Sequence, residues 1–118
     1  MVVDDDAAVR TLVVKALQAK GYDVEQAPDG LAASEALGRL ARAPDLLICD
    51  VMMPTVDGYS LARLVRQHAE LRTMPIIFLT ARTQPADVVQ GIRLGARHYI
   101  QKPFKVADLL DKVQKTIG

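Results

Sequence analysis

The chain has 118 residues, half of them apolar and a quarter charged, and its formal net charge is +1. These values predict one globular domain over residues 1–118 and argue against a disordered chain or one with two cores. The chain contains no basic run, so direct contact with nucleic acid is not expected. Because no apolar stretch is long enough to span a membrane and a single cysteine permits no internal disulfide, we expect a cytoplasmic protein without a membrane partner.

Strand-like and helix-like segments alternate along the chain. The predicted strands are 1–3, 22–26, 46–49, 76–79 and 99–100. Apolar residues at steps of three and four predict a helix after each strand, with the stripes at 9–17, 33–40, 61–65, 88–92 and 106–117. Such alternation predicts an α/β fold with right-handed crossovers and helices on both faces of a parallel sheet. The expected fold is a flavodoxin-like (βα)5 three-layer sandwich with strand order 2-1-3-4-5.

Acidic residues follow two of the predicted strands. Asp4, Asp5 and Asp6 come after the first strand, and Asp50 ends the third. In the expected sheet, the carboxyl ends of these strands are neighbours at the point where ligands usually bind. Gathered carboxylates repel one another unless a cation lies among them, and Mg²⁺ prefers oxygen ligands. Acids at strand ends are also common as solvated turns and helix caps, which is the expected role of Asp6.

Two further polar residues are placed at the same edge of the sheet. Thr80 ends the fourth predicted strand, and Lys102 follows the fifth. Each has an ordinary explanation alone, since a threonine can cap a helix and a lysine can be a surface charge. Their arrival beside the carboxylates from different strands instead predicts one functional site.

The residues at this edge resemble the receiver domain of response regulators in two-component signalling, and the resemblance covers nearly the whole chain. The matching segments are Asp4-Asp5, Asp50, Met53-Pro54 with Asp57-Gly58, Thr80-Ala81 and Lys102-Pro103-Phe104. One such segment is weak support, but five in the right order and at typical separations are highly specific.

The resemblance implies that Asp50 is the phosphoacceptor. Its carboxylate would attack a phosphoryl group carried by a histidine of a kinase or a phosphotransfer protein, with little covalent help needed. Mg²⁺ would be held directly by Asp5, Asp50 and the backbone carbonyl of Met52, with Asp4 acting through water. The domain would then be a phosphoacceptor with self-catalysed transfer and autodephosphorylation rather than an enzyme.

The resemblance also assigns roles to the remaining site residues. Lys102 would neutralise the acceptor and then the phosphoryl oxygens, and its bond to Pro103 is expected to be cis. The Thr80 hydroxyl would bind the phosphoryl group and open space beneath the fourth helix. Tyr99 would then swing into that space. The ordinary alternative for Tyr99 is a partly buried aromatic residue with its hydroxyl at the surface. Met52 and Arg82 would flank the approach of water and tune dephosphorylation.

These movements would change the face formed by the fourth helix, fifth strand and fifth helix, and so the affinity for an unidentified effector protein or domain. A phosphorylation-dependent dimer is one possible outcome. Arg97 and His98 stand where many DNA-binding members of the family have acidic residues that take part in dimer pairing. This difference weakens the inference that the chain forms the dimer of those members.

Two other functions share features with this sequence. An aspartyl-nucleophile phosphatase would use the Asp-x-Asp pattern of residues 4–6, but Ala8 stands where such enzymes have Thr or Val, and no paired acids follow late in the chain. A flavin- or nucleotide-binding protein of the same fold would have a glycine- or hydroxyl-rich phosphate loop after the first strand. That loop is acidic here, and turnover of a phosphate ester or a bound flavin would favour these alternatives.

Overall fold

The strands and helices alternate as the sequence predicts. The computed structural model describes residues 1–81 and 85–118, with the backbone alone for 85–87. The strands are β1 (Val2–Val3), β2 (Gln26–Ala27), β3 (Leu47–Asp50), β4 (Ile76–Thr80) and β5 (Ala96–Gln101). The helices are α1 (Ala7–Ala19), α2 (Gly30–Arg39), α3 (Gly58–Gln67), α4 (Pro85–Arg93) and α5 (Val106–Ile117).

The five strands form one parallel sheet in the order β2-β1-β3-β4-β5, which confirms the predicted topology. Successive strand residues contribute to separate apolar clusters, because side chains alternate between the two faces of a sheet. Ile48 and Leu79 pack with α1 and α5, whereas Cys49 and Phe78 pack with α2 and α3. Covered on both faces, β3 and β4 are buried along their whole length, as parallel central strands usually are.

The two edge strands differ from their predicted bounds. β2 begins at Gln26 rather than at residue 22, because its partner β1 offers only two paired residues. β5 begins at Ala96, directly after Gly95 turns the chain with φ +88, and is longer than the predicted 99–100. Its pairing with β4 runs from Ala96 to Gln101, so backbone pairing extends the strand over residues whose pattern was weak.

The loops after β1, β2 and β3 lead into capped helices at one edge of the sheet. The side chains of Asp6, Asp29 and Asp57 each accept a hydrogen bond from a backbone N–H in the first turn of α1, α2 and α3. The expected capping role of Asp6 is therefore confirmed. Among the helices within the described ranges, none combines the length and apolar character that a bilayer crossing requires.

Candidate functional site

Three carboxylates meet at the carboxyl edge of the sheet. Asp4 and Asp50, at the ends of β1 and β3, are 1 % and 5 % exposed, whereas Asp5 is exposed. One oxygen from each of the three carboxylates lies within 4.8 Å of the others. Asp6 does not join them, because its side chain caps α1. The side chains of Asp4, Asp5 and Asp50 therefore lie close together, as the sequence predicts.

Lys102 brings a cation into this cluster, but its shorter contact is not the expected one. Its Nζ lies 2.8 Å from Asp4 Oδ2 and 3.4 Å from Asp50 Oδ2. The backbone N–H of Lys102 donates to the carbonyl oxygen of Thr80 at 2.8 Å, which fixes the start of the loop after β5. The peptide bond between Lys102 and Pro103 is cis, as the resemblance implies. The resemblance implies Asp50 as the main partner of Lys102, whereas the shorter contact in the structure is to Asp4.

Burial and charge set the electrostatics of the site. Burial, followed by the neighbouring Asp4, raises the pKa of Asp50 to about 6, and Lys102 opposes this rise. Burial by itself would lower the pKa of Lys102, but the carboxylates of Asp4 and Asp50 outweigh it and raise that pKa above its usual value. Lys102 therefore stays protonated near neutral pH, and Asp50 is mainly ionised at pH 7.

The donor set fits a magnesium ion. Within the described residues, the three clustered carboxylates meet one ammonium group, that of Lys102. Every side-chain donor in the cluster is a carboxylate oxygen, which a hard divalent cation prefers over softer ligands. Asp5 is exposed, so it leaves the cluster open to solvent on one side. Mg²⁺ usually keeps several waters, and an open side suits such an ion.

Backbone contacts hold Asp4 more firmly than Asp50. Asp4 Oδ1 accepts from the N–H of Asp6 at 2.9 Å, and its carbonyl oxygen accepts from Arg10 Nη1 at 2.8 Å. The contact from the Met52 N–H to Asp50 Oδ1 is 3.4 Å, at the long end of the range for a hydrogen bond. The sequence had indicated no role for Arg10, although an arginine one turn into α1 was the available signal.

Gly58 explains why the loop after β3 contains the Asp57-Gly58 pair. A Cβ on Gly58 would lie 2.3 Å from the carbonyl oxygen of Asp50, a distance that atoms do not tolerate. The N–H of Gly58 donates to the carbonyl oxygen of Val51 at 2.9 Å. Glycine therefore lets α3 begin directly against the backbone of the Asp50 loop.

The two proposed switch residues lie on neighbouring strands. Thr80 is fully buried at the end of β4, and Tyr99 pairs with Phe78 across β4 and β5. The Tyr99 hydroxyl lies 2.6 Å from the Tyr59 hydroxyl, and Tyr59 is only 4 % exposed. The structure therefore shows the Tyr99 hydroxyl hydrogen-bonded to a buried tyrosine in the first turn of α3, and not the alternative of a hydroxyl directed to solvent.

Met52 and Arg82 are the two residues predicted to tune dephosphorylation. The side chain of Met52 is 57 % exposed beside the carboxylates. Arg82 lies outside the described residues. Cys49, next to Asp50, is fully buried, and burial raises the pKa of its thiol well above the usual value, so it is a packing residue of the core.

Comparison with known proteins assigns this arrangement to a family. The sequence profile described as the response regulator receiver domain matches residues 1–114, and the chain belongs to this family. It is 38 % identical over 114 residues to the DNA-binding dual master transcriptional regulator RpaA of Synechocystis sp., with 97 % of this chain and 46 % of the relative covered. It is 42 % identical to the transcriptional regulatory protein RprY of Bacteroides fragilis, with 97 % and 47 % covered. The chain thus spans about half the length of these curated relatives.

Solved structures agree with this assignment. The chain matches the chemotaxis protein CheY4 of Vibrio cholerae with a TM-score of 0.90 and 34 % identity, covering 98 % of this chain and 94 % of that one. It also matches the receiver domain of the sensor histidine kinase PA1611 from Pseudomonas aeruginosa, with a TM-score of 0.86, 34 % identity, and 99 % and 94 % coverage. That structure holds a magnesium ion in its active-site cleft. The chain has the fold and family of a receiver domain of two-component response regulators.

Proposed function

We propose that residues 1–118 form a single receiver domain that accepts a phosphoryl group on Asp50 from a phosphohistidine of a kinase or phosphotransfer protein. The observation that carries this proposal is the difference between the two buried carboxylates. Both oxygens of Asp4 have contacts of 2.8–2.9 Å, to Lys102 and to the backbone of Asp6. The corresponding contacts of Asp50, to Lys102 and Met52, are 3.4 Å. Asp50 is therefore less committed to its neighbours and better able to act as a nucleophile.

The chemistry requires an ionised carboxylate and neutralisation of the incoming charge. A carboxylate oxygen of Asp50 forms the new bond to phosphorus as the bond from phosphorus to the histidine nitrogen breaks, and the electron pair leaves with the imidazole. Lys102 stays protonated and follows the charge from the acceptor to the phosphoryl oxygens. Positioning and charge neutralisation supply most of the catalysis in such transfers. The domain promotes its own phosphorylation and autodephosphorylation and is not expected to turn over free phosphate esters.

Asp5, Asp50 and the carbonyl oxygen of Met52 would hold Mg²⁺, with Asp4 acting through water. When bound, the ion would supply positive charge beside the clustered carboxylates. The direct contact between Asp4 and Lys102 supports the outer position of Asp4, because that carboxylate already has a cation as its partner.

Phosphorylation is read out through Thr80 and Tyr99 in our proposal. The Thr80 hydroxyl binds the phosphoryl group, and Tyr99 couples this event to the face formed by α4, β5 and α5. That face changes its affinity for an effector protein or domain, with a phosphorylation-dependent dimer as one form of output. Direct nucleic-acid binding by residues 1–118 is not expected, although the relatives include named DNA-binding regulators. A cytoplasmic location stays a prediction.

Phosphorylation of the isolated chain tests this function. With acetyl phosphate and Mg²⁺, we expect the intact mass to rise by one phosphoryl group, and Asp50→Asn to prevent the rise. Asp45→Asn, which changes an exposed aspartate that forms an ion pair with Arg42, is the matched control and should label normally. Equal labelling of the Asp50→Asn protein would contradict the assignment of the acceptor. Steady release of product from p-nitrophenyl phosphate would instead favour the phosphatase.

A further inference from the structure

A pair of tyrosine hydroxyls joins α3 to β5 beneath the fourth helix. The hydroxyls of Tyr59 and Tyr99 lie 2.6 Å apart, and either can donate the hydrogen bond. Phe78 lies against both rings, with centroid separations of 5.2 Å to Tyr59 and 6.0 Å to Tyr99. Ring contacts at these separations are favourable. The Tyr99 ring is thus directed into the protein and held at its polar end.

The helix above the ring has a glycine at the contact. A Cβ built on Gly91 of α4 would lie 3.1 Å from Cε2 of Tyr99. This distance is tighter than ordinary contact, so a side chain at residue 91 would displace the ring or the helix by a few tenths of an ångström. The absence of a side chain at Gly91 therefore makes room for the inward position of Tyr99.

The hydroxyl pair connects α3, which follows the Asp50 loop, to β5, which leads to Lys102, and this connection does not pass through Thr80. Tyr59 directly follows Gly58, whose backbone is wedged against the carbonyl oxygen of Asp50. Tyr99 lies on β5, which runs directly into Lys102. Movement of the Asp50 loop and movement of β5 are consequently linked through one side-chain hydrogen bond.

We propose that Tyr59 is a positioning residue that holds Tyr99 inward before any phosphoryl group arrives. This inference rests on the proposed function in one respect, namely that the inward position of Tyr99 accompanies the phosphorylated site. Tyr59 then biases the switch toward the state that favours a phosphoryl group. The net strength of one hydrogen bond corresponds to a bias of roughly 2- to 12-fold in the equilibrium between inward and outward Tyr99.

We call the hydrogen bond between the Tyr59 and Tyr99 hydroxyls the latch. Two measurements on protein without any phosphoryl group decide whether it holds Tyr99 inward. In a double-mutant cycle of Tyr59→Phe and Tyr99→Phe, the unfolding equilibrium should show a coupling of roughly 2- to 12-fold between the two hydroxyls. NMR spectra of protein with isotope-labelled tyrosine rings should show that Tyr59→Phe shifts or broadens the Tyr99 signals. The chain has three tyrosines, so Tyr22→Phe, on the other face of the sheet, is the control and should leave Tyr99 unchanged.

Gly91→Ala provides an independent test of the inward ring. The added methyl group should alter the Tyr99 signals while both hydroxyls are still present. Additive effects of the two tyrosine substitutions, together with unchanged Tyr99 signals in Tyr59→Phe, would overturn the latch. This conclusion would hold whether or not Asp50 is ever phosphorylated.

A phosphoryl analogue tests the consequence for the switch. With Mg²⁺ and beryllofluoride, the apparent dissociation constant should increase in Tyr59→Phe, by at most about 12-fold, because a smaller fraction of the protein then has Tyr99 inward. Tyr22→Phe should bind as the parent protein does. Equal binding by Tyr59→Phe and the parent would overturn the proposed bias. Failure of the parent to bind beryllofluoride or label on Asp50 would instead contradict the proposed function, while the metal-free cycle and spectra would still decide the latch.

Discussion

Lys102 and Arg66 are partly buried cations at opposite edges of the sheet, and their surroundings differ in kind. Lys102, at the carboxyl edge, faces the carboxylates of Asp4 and Asp50. Arg66, on α3, donates to backbone carbonyl oxygens at the amino edge. These acceptors belong to Leu94 at 2.9 Å, Met74 at 2.8 Å, Arg72 at 2.8 Å, and Leu71 and Gly95 at 3.4 Å each. They lie in the segments that lead into β4 and β5.

The difference suits the two edges to different tasks. A lysine ammonium is a compact charge on a flexible stem, so Lys102 can move from a carboxylate to a phosphoryl oxygen. The guanidinium of Arg66 has fixed donor directions and joins two segments that are held in place by several bonds at once. At the amino ends of the strands, Arg66 therefore holds two chain segments in fixed positions. At the carboxyl ends, the charged groups around Lys102 can be rearranged.

The largest predicted effect is on stability and concerns Arg66, at the amino ends of the strands. Arg66→Ala would leave several carbonyl oxygens without their donor, and we expect the free energy of unfolding to fall by about 2–3 kcal/mol. Arg66→Lys should recover less than half of this loss, because an ammonium group cannot donate in the several fixed directions of the planar guanidinium. Arg63→Ala, at an exposed position on the same helix, is the control and should change stability by less than about 0.5 kcal/mol. Equal losses of stability for the two alanine variants in urea titrations would contradict the role of Arg66 in holding the two segments.

At the carboxyl edge, removing a charge should stabilise the metal-free protein. The pKa of Asp50 is about 6 in the folded state against 3.8 ordinarily, so the folded protein binds the proton more tightly. The associated stability is present below pH 4 and is lost as the pH rises through about 6. Asp50→Asn should therefore raise the free energy of unfolding at pH 7 by about 2–3 kcal/mol, since the raised pKa already includes the opposing effect of Lys102.

The pH dependence supplies the control for this variant. Near pH 4 the difference between Asp50→Asn and the parent should largely disappear, because the parent carboxyl is then protonated. Asp45→Asn should follow the parent at both pH values. A loss of stability in Asp50→Asn at pH 7, with the metal removed by a chelator, would contradict the proposed repulsion.

Mg²⁺ should stabilise the same edge by binding to the folded state. At a concentration ten times the dissociation constant, the expected gain is about 1.4 kcal/mol. Asp5→Ala should weaken Mg²⁺ binding more than Asp4→Ala, because Asp5 is the proposed direct ligand and Asp4 already pairs with Lys102. A melting temperature that stays constant across a Mg²⁺ titration would count against the site, and the reverse ranking of the two variants would exchange the roles of Asp4 and Asp5.

The smallest predicted effect concerns the lifetime of the phosphorylated state. Met52 offers no group to orient an attacking water, and Arg82 can shield the phosphoryl oxygens, so hydrolysis should be slower than in receivers with Asn and Glu at these positions. Met52→Asn combined with Arg82→Glu should speed the loss of phosphate about fivefold, equivalent to about 1 kcal/mol in the barrier. Loss at the parent rate, measured by intact mass at matched Mg²⁺ and pH, would show that the two positions do not set the lifetime.

The order of strands and helices, the parallel sheet and the place where Asp4, Asp5 and Asp50 meet can all be predicted from the amino-acid sequence. These features follow from local patterns, since apolar spacing defines each element and residues at the ends of adjacent parallel strands become neighbours. The bounds of β2 and β5 did not follow, because pairing with β1 and β4 decides the length of an edge strand.

The partners of individual side chains could not be predicted in this way and became visible in the folded protein. It brought Lys102 closer to Asp4 than to Asp50, and it joined the Tyr59 hydroxyl to that of Tyr99. It also placed the guanidinium of Arg66 among carbonyl oxygens from two separate segments. Such contacts depend on how helices pack on the sheet and which rotamers the packed core permits, and neither is encoded in the spacing of residues along the chain.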